Sequence, residues 1–128
     1  MTEPNQRILV VDDNLVHLEM SRQFLDSFNG ISVDFAVHPD QGKELISKND
    51  PFSIIWSEYQ FNNSAIDGIE FLRDASLASP LSSKLLCSGV FSKSEILTRV
   101  KDKKADTYLT KPINIKSTYN ALEIGITN

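Results

Sequence analysis

A single cysteine, Cys87, stands in a chain of 128 residues. It has no intramolecular partner, which excludes an internal disulfide framework and fits a reducing compartment. Basic residues are in the minority: 13 Lys and Arg face 17 Asp and Glu, for a formal charge of −4. That balance argues against non-specific attraction to nucleic acid or to an anionic membrane. No apolar run approaches the ~20 residues that cross a bilayer. The N-terminus carries no charged-then-apolar leader pattern, so the cytoplasm is the expected location. Also missing is a glycine-rich, phosphate-cradling turn after the first apolar run, where Asp12-Asp13-Asn14 stands instead.

What is present reads as one domain spanning residues 1–128, with a core over 8–126. The length suits a single hydrophobic core, and 41% apolar with 23% charged residues is the composition of a globular chain. Ile8-Leu9-Val10-Val11 is a strand buried on both faces. A helix is expected over residues 15–28, with Val16, Met20, Phe24 and Phe28 as its apolar stripe and Asn29-Gly30 as its stop. Residues 32–37 form a second strand, and Pro39 opens a helix running to about Lys48. Gly42 inside that helix points to close approach against a sheet.

A third strand is expected over residues 52–56, ending near Glu58. After a polar loop, Asp67 and Glu70 make a capping box for a helix through Phe71-Leu72. A short strand at 85–87, a helix capped by Ser92, a strand at 107–109 and a closing helix marked by Ile115, Tyr119, Leu122 and Ile126 complete the alternation. The fold class is therefore α/β: a five-stranded parallel sheet, (βα)5, with helices on both faces.

In such sheets ligands sit beyond the carboxyl ends of the strands, where Asp12, Asp13, Glu58, Ser88 and Lys111 fall. Carboxylates gathered there repel one another, and a hard divalent cation relieves that repulsion; all-oxygen ligation fits Mg²⁺. Asp13 is the expected direct ligand, Asp12 acts through water, Glu58 belongs to the same set, and the Gln60 backbone carbonyl faces it from the loop. Lys111 neutralises the cluster or pairs with a phosphoryl oxygen, to which Ser88 donates. His17 reads as structural or surface, His38 as solvated and Trp56 as core, while Lys101, Lys103 and Lys104 read as an exposed turn.

Taken together, Asp12-Asp13-Asn14, Ser57-Glu58-Tyr59-Gln60 with Asp67-Gly68, Ser88-Gly89 and Thr107-Tyr108-Leu109-Thr110-Lys111-Pro112 resemble a two-component response-regulator receiver domain of CheY-like, flavodoxin-like topology. The resemblance implies that an aspartate at the third strand end takes a phosphoryl group from a histidine kinase, with Mg²⁺ held by the acidic pair. It makes Ser88 the hydroxyl switch, Tyr108 the aromatic switch and Lys111 the phosphate-sensing lysine, and it implies a cis Lys111-Pro112 bond. Three departures stand out. Glu58 occupies the phosphoacceptor position. The loop that follows, Phe61-Asn62-Asn63-Ser64-Ala65-Ile66, lacks the usual proline and is longer, which loosens the expected Mg²⁺ site. Lys104 stands where glycine is common.

Mispositioning an attacking oxygen by ~1 Å can cost about 10² in rate. The expected function is thus a receiver-type signalling module with a degenerate phosphoacceptor, acting through protein contacts of residues 88–126. Its enzymatic activity amounts at most to Mg²⁺-dependent self-phosphorylation and dephosphorylation. Expected partners are a histidine kinase, an effector or output domain, and a second copy in a homodimer. Two alternatives stay open in the sequence: a working phosphoreceiver on Glu58, or a natural aspartate replaced to imitate activation. A different small enzyme of the same topology fits poorly with the acidic first turn.

Overall fold

The computed structural model describes residues 6–26, 30–48, 51–88 and 107–110. Among them run β1 (Gln6–Val11), α1 (Leu15–Leu25), β2 (Ile31–Ala36), α2 (Pro39–Lys48), β3 (Ile54–Glu58), α3 (Gly68–Ala78), β4 (Ser83–Ser88) and β5 (Thr107–Thr110). The expected helices after Ser92 and Ile115, together with Lys104 and Lys111-Pro112, lie outside the described residues.

All five strands are parallel, in the order β2-β1-β3-β4-β5. The centre of the sheet follows from sequence: Ile8 to Val11 and Ile54 to Glu58 are buried along their whole length, as continuous apolar runs in a two-sided sheet must be. Side-chain alternation divides the core. Leu9, Val11, Ile55 and Leu86 pack with Phe71, Leu72 and Ala75 of α3, and with Leu45 and Ile46 of α2. Ile8, Val10, Ile54, Trp56, Leu85 and Cys87 pack with Leu18 and Leu25 of α1 on the other side. Helices therefore cover both faces.

The α1 stripe is the expected one only in part: Phe24 is half-buried and packs against the core, and Phe28 lies outside the described residues. Val16 is 66% and Met20 45% exposed, and the packed face is Leu18, Ser21 and Leu25. A strict spacing of four drifts roughly 40° per step around a helix of 3.6 residues per turn, whereas Leu18, Ser21 and Leu25 alternate three and four and stay on one side. β3 also differs from its expected bounds. Pairing of Ile8 with Ile54 and of Glu58 with Cys87 carries the strand on to Glu58, which thus belongs to the sheet. Phe52 drops below the strand start, with the Arg7 guanidinium 4.7 Å over its ring.

Two glycines set how tightly the layers close. A Cβ on Gly42 would sit 3.0 Å from both Phe71 and Val11, so α2 lies as close to the sheet as its sequence suggested. A Cβ on Gly68 would stand 1.9 Å from the Glu58 carbonyl oxygen. Only glycine lets α3 begin against the end of β3, and its N–H donates to the Tyr59 carbonyl at 2.5 Å. The capping box of Asp67 and Glu70 forms as expected.

Candidate functional site

The strand order reverses direction about β1, which has β2 on one side and β3 on the other. A crevice at the carboxyl ends of β1 and β3 is the consequence. Asp12 leaves β1 into it, its own N–H still bonded to Ala36 O at 3.0 Å. Oδ1 of Asp12 accepts the Asn14 N–H at 2.9 Å. Asn14 in turn caps α1, accepting from Val16 N–H at 2.9 Å and His17 N–H at 3.1 Å. This tight succession starts the helix at once. Side chains in a first turn lean back toward the N-terminus, and His17 Nδ1 comes within 3.7 Å of Asp12 Oδ2.

Glu58 arrives from the neighbouring strand, one step beyond the Val11–Ser57 pair. Its Oε1 turns back to its own main chain and accepts the Tyr59 N–H at 2.9 Å, a donor it shares with the Cys87 carbonyl. Asp12 is 6% and Glu58 7% exposed. Asp12, His17 and Glu58 each offer one ligand atom within 4.8 Å of the others. Donors on opposite sides of an ion bonded at about 2.1 Å stand about 4.2 Å apart, so small side-chain adjustments close the set around a cation. The two buried carboxylates and one imidazole are capable of coordinating a divalent metal.

Asp13 takes a different place. Its Oδ2 accepts the Asn62 N–H at 2.7 Å, tying the end of β1 to the loop after β3. Gln60 is exposed and lines, with Phe61, Ile66, Asp67 and Glu70, a cavity of about 470 Å³ in that loop. Ser88 ends β4 in register with Thr110, and Tyr108 lies in register with Leu86. Lys111 lies outside the described residues. Asp12 and Glu58 are thus brought together, while Asp13 is held by the loop after β3.

Both histidines have partners that their sequence reading did not name. His17 belongs to the cluster; the signal for it was its place in the first turn after the Asn14 cap. His38, read as solvated, donates from Nε2 to Asn63 O at 2.9 Å and accepts the Asp40 N–H at Nδ1. It fastens the turn before α2 to the loop after β3.

The response regulator receiver domain family matches residues 8–123. A CheY-like receiver domain protein from Methanospirillum hungatei JF-1 is 25% identical with a TM-score of 0.80, covering 95% of this chain and 94% of that one. A response regulator from Burkholderia pseudomallei, solved with a phosphorylated aspartic acid, calcium ion and citrate, is 27% identical with a TM-score of 0.80, covering 96% of this chain and 69% of that one. An adenylate cyclase structure from Rhodopirellula baltica is 27% identical with a TM-score of 0.82, over 96% of this chain and 88% of that one. No curated relative matches the chain. With the parallel sheet, the crevice and the buried acidic cluster, the match over most of the chain settles the family: the chain belongs to the response regulator receiver domains, signal-transduction modules, and carries an atypical phosphoacceptor site.

Proposed function

We propose that this receiver signals by protein contact through the face built from residues 88–126, with phosphoryl transfer absent or inefficient. The observation that carries the reading is Glu58: its carboxylate is folded back on the Tyr59 N–H and lies among Asp12 and His17. A side chain one methylene longer than aspartate fills the space an incoming phosphoryl group needs and mis-aims the nucleophilic oxygen. The Burkholderia pseudomallei relative carries its phosphoryl group on an aspartic acid, which is consistent with Asp as the ordinary acceptor of this fold.

The remaining parts follow the family pattern. The chain completes a (βα)5 domain with two helices beyond β4 and β5. Ser88 acts as hydroxyl switch, Tyr108 as aromatic switch and Lys111 as the cation facing the acidic pocket. Asp12 and Glu58 would hold a divalent cation such as Mg²⁺, with Asp13 and the Gln60 carbonyl beside it. When bound, the cation supplies positive charge against the clustered carboxylates. The partners in this reading are a histidine kinase, an effector or output domain, and a second copy.

Incubation with Mg²⁺ and acetyl phosphate, read by intact mass, tests the reading. The expected result is no phosphoryl adduct on the parent chain and an adduct on Glu58→Asp. An adduct on the parent that disappears in Glu58→Ala overturns it and makes Glu58 a working acceptor.

A further inference from the structure

We propose that His17 is a metal ligand and that the pocket consequently takes a borderline dication of the Zn²⁺, Co²⁺ and Ni²⁺ class in preference to Mg²⁺. The inference deepens the divalent-cation reading above and rests on it. Its basis is the donor set: one imidazole nitrogen with two carboxylates, two of the three residues buried and all three converging within 4.8 Å. Mg²⁺ favours oxygen ligands in near-octahedral arrangement and sheds water reluctantly, while imidazole suits Zn²⁺, Ni²⁺ and Cu²⁺.

Distances point the same way. His17 Nδ1 stands 3.7 Å from Asp12 Oδ2. That is too long for a hydrogen bond, whose heavy atoms lie about 2.7–3.2 Å apart. It is close to the ~3.4 Å that separates two ligands of one tetrahedral ion bonded at about 2.1 Å. Meanwhile Asp13, the residue an oxygen-only site would draw on, accepts the Asn62 N–H at 2.7 Å. Each of the other two ligands has a support that fixes its direction. Asn14 N–H holds Asp12 Oδ1 and Tyr59 N–H holds Glu58 Oε1, leaving Asp12 Oδ2 on the side of the imidazole. Such outer hydrogen bonds are what orient first ligands in metal sites.

Titration of the full chain with Mg²⁺, Mn²⁺, Co²⁺, Ni²⁺ and Zn²⁺ separately, by calorimetry and by the fluorescence of Trp56, tests the proposal. Trp56 is buried on β3 two positions before Glu58, and alternation puts both side chains on one face of the strand. Zn²⁺, Co²⁺ and Ni²⁺ are expected to bind about tenfold or more tighter than Mg²⁺. His17→Gln, checked for folding by circular dichroism, is expected to weaken Zn²⁺ by at least the ~10- to 100-fold that outer partners of metal ligands are worth, and to leave Mg²⁺ nearly unchanged. Loss of the Co²⁺ visible spectrum in His17→Gln gives a second readout that a merely structural histidine would not move. His38→Gln serves as control for surface binding.

Unchanged Zn²⁺ affinity in His17→Gln, or its loss in His38→Gln, overturns the proposal. If Mg²⁺ binds as tightly as Zn²⁺, and Glu58→Gln abolishes both, the ion preference falls while the divalent site stands. If no dication binds at all, both fall together.

Discussion

The two ends of the sheet both bury charge, and they do so for opposite ends. At the amino edge, Lys84 is 4% exposed. Its Nζ donates to the carbonyls of Ser79 and Pro80 at 3.0 and 3.5 Å and to that of Ser82. Ser82 Oγ bonds Ser79 Oγ and the Phe52 carbonyl. These partners are the protein's own main chain and hydroxyls, gathered from the turn before β4 and the residue ahead of β3. At the carboxyl edge, two carboxylates and an imidazole are gathered from the residue after β1, from α1 and from β3. An ammonium among carbonyls completes itself and holds a turn. Carboxylates brought within a few ångströms of each other carry a like-charge cost that a bound cation relieves. Buried charge of the first kind is structural, and of the second kind is capable of coordinating a divalent cation.

The most disruptive way to break the comparison is at Gly68, whose neighbour is the Glu58 carbonyl. Gly68→Ala forces β3 and α3 apart and is expected to cost about 3 kcal/mol or more, as severe overpacking does. Urea unfolding followed by Trp56 fluorescence measures it. A divalent cation at about 100 times its Kd should stabilise the parent by about 2.7 kcal/mol through binding to the folded state alone. Glu58→Gln should abolish that shift, read as a rise in melting temperature with and without the ion. Lys84→Met should cost about 2 kcal/mol, the worth of a charged donor to buried acceptors. The same cation-induced rise should persist in that variant, because the site end is intact. A cation shift lost in Lys84→Met but kept in Glu58→Gln would reverse the assignment of the two ends.

The contrast also separates what sequence could and could not reveal. Continuous apolar runs such as Ile8 to Val11, and the Asp67–Glu70 capping pattern, report local physics, and both appear in place. The meeting of Asp12 and Glu58 was legible because strand ends of a parallel sheet converge by rule. The Val16-Met20 stripe failed because evenly spaced apolar residues do not identify which side of a helix meets the sheet; that depends on α1 crossing above Ile8, Val10 and Trp56. The exchange between Asp13 and His17 was hidden for a related reason. It depends on the Asn62 N–H, forty-nine positions away in the chain, drawing one carboxylate aside. Lys84 was invisible too, since a lysine in a strand reads as an edge or exposed position until the turn carbonyls around it are known.

Smaller effects test the helix ends and surfaces that frame the two edges. Asp67→Ala removes the cap of α3 next to the crevice and should cost about 1 kcal/mol by thermal melting. The least is expected from the exposed carboxylates. Hydrogen bonds from Arg22 and Gln23 hold Glu19 below its ordinary range, and a hydrogen bond from Lys48 does the same for Glu44. A carboxyl whose folded value is depressed contributes stability that is present above its unfolded value and is lost as pH falls through the folded one. Glu44→Gln should therefore melt slightly below the parent near neutral pH, and the two should coincide once the pH lies below the depressed value. Because both partners are in water, added salt should shrink the neutral-pH difference as well. A Glu44→Gln penalty as large as that of Lys84→Met would mean that position on the chain, and not burial, decides what a charged pair contributes.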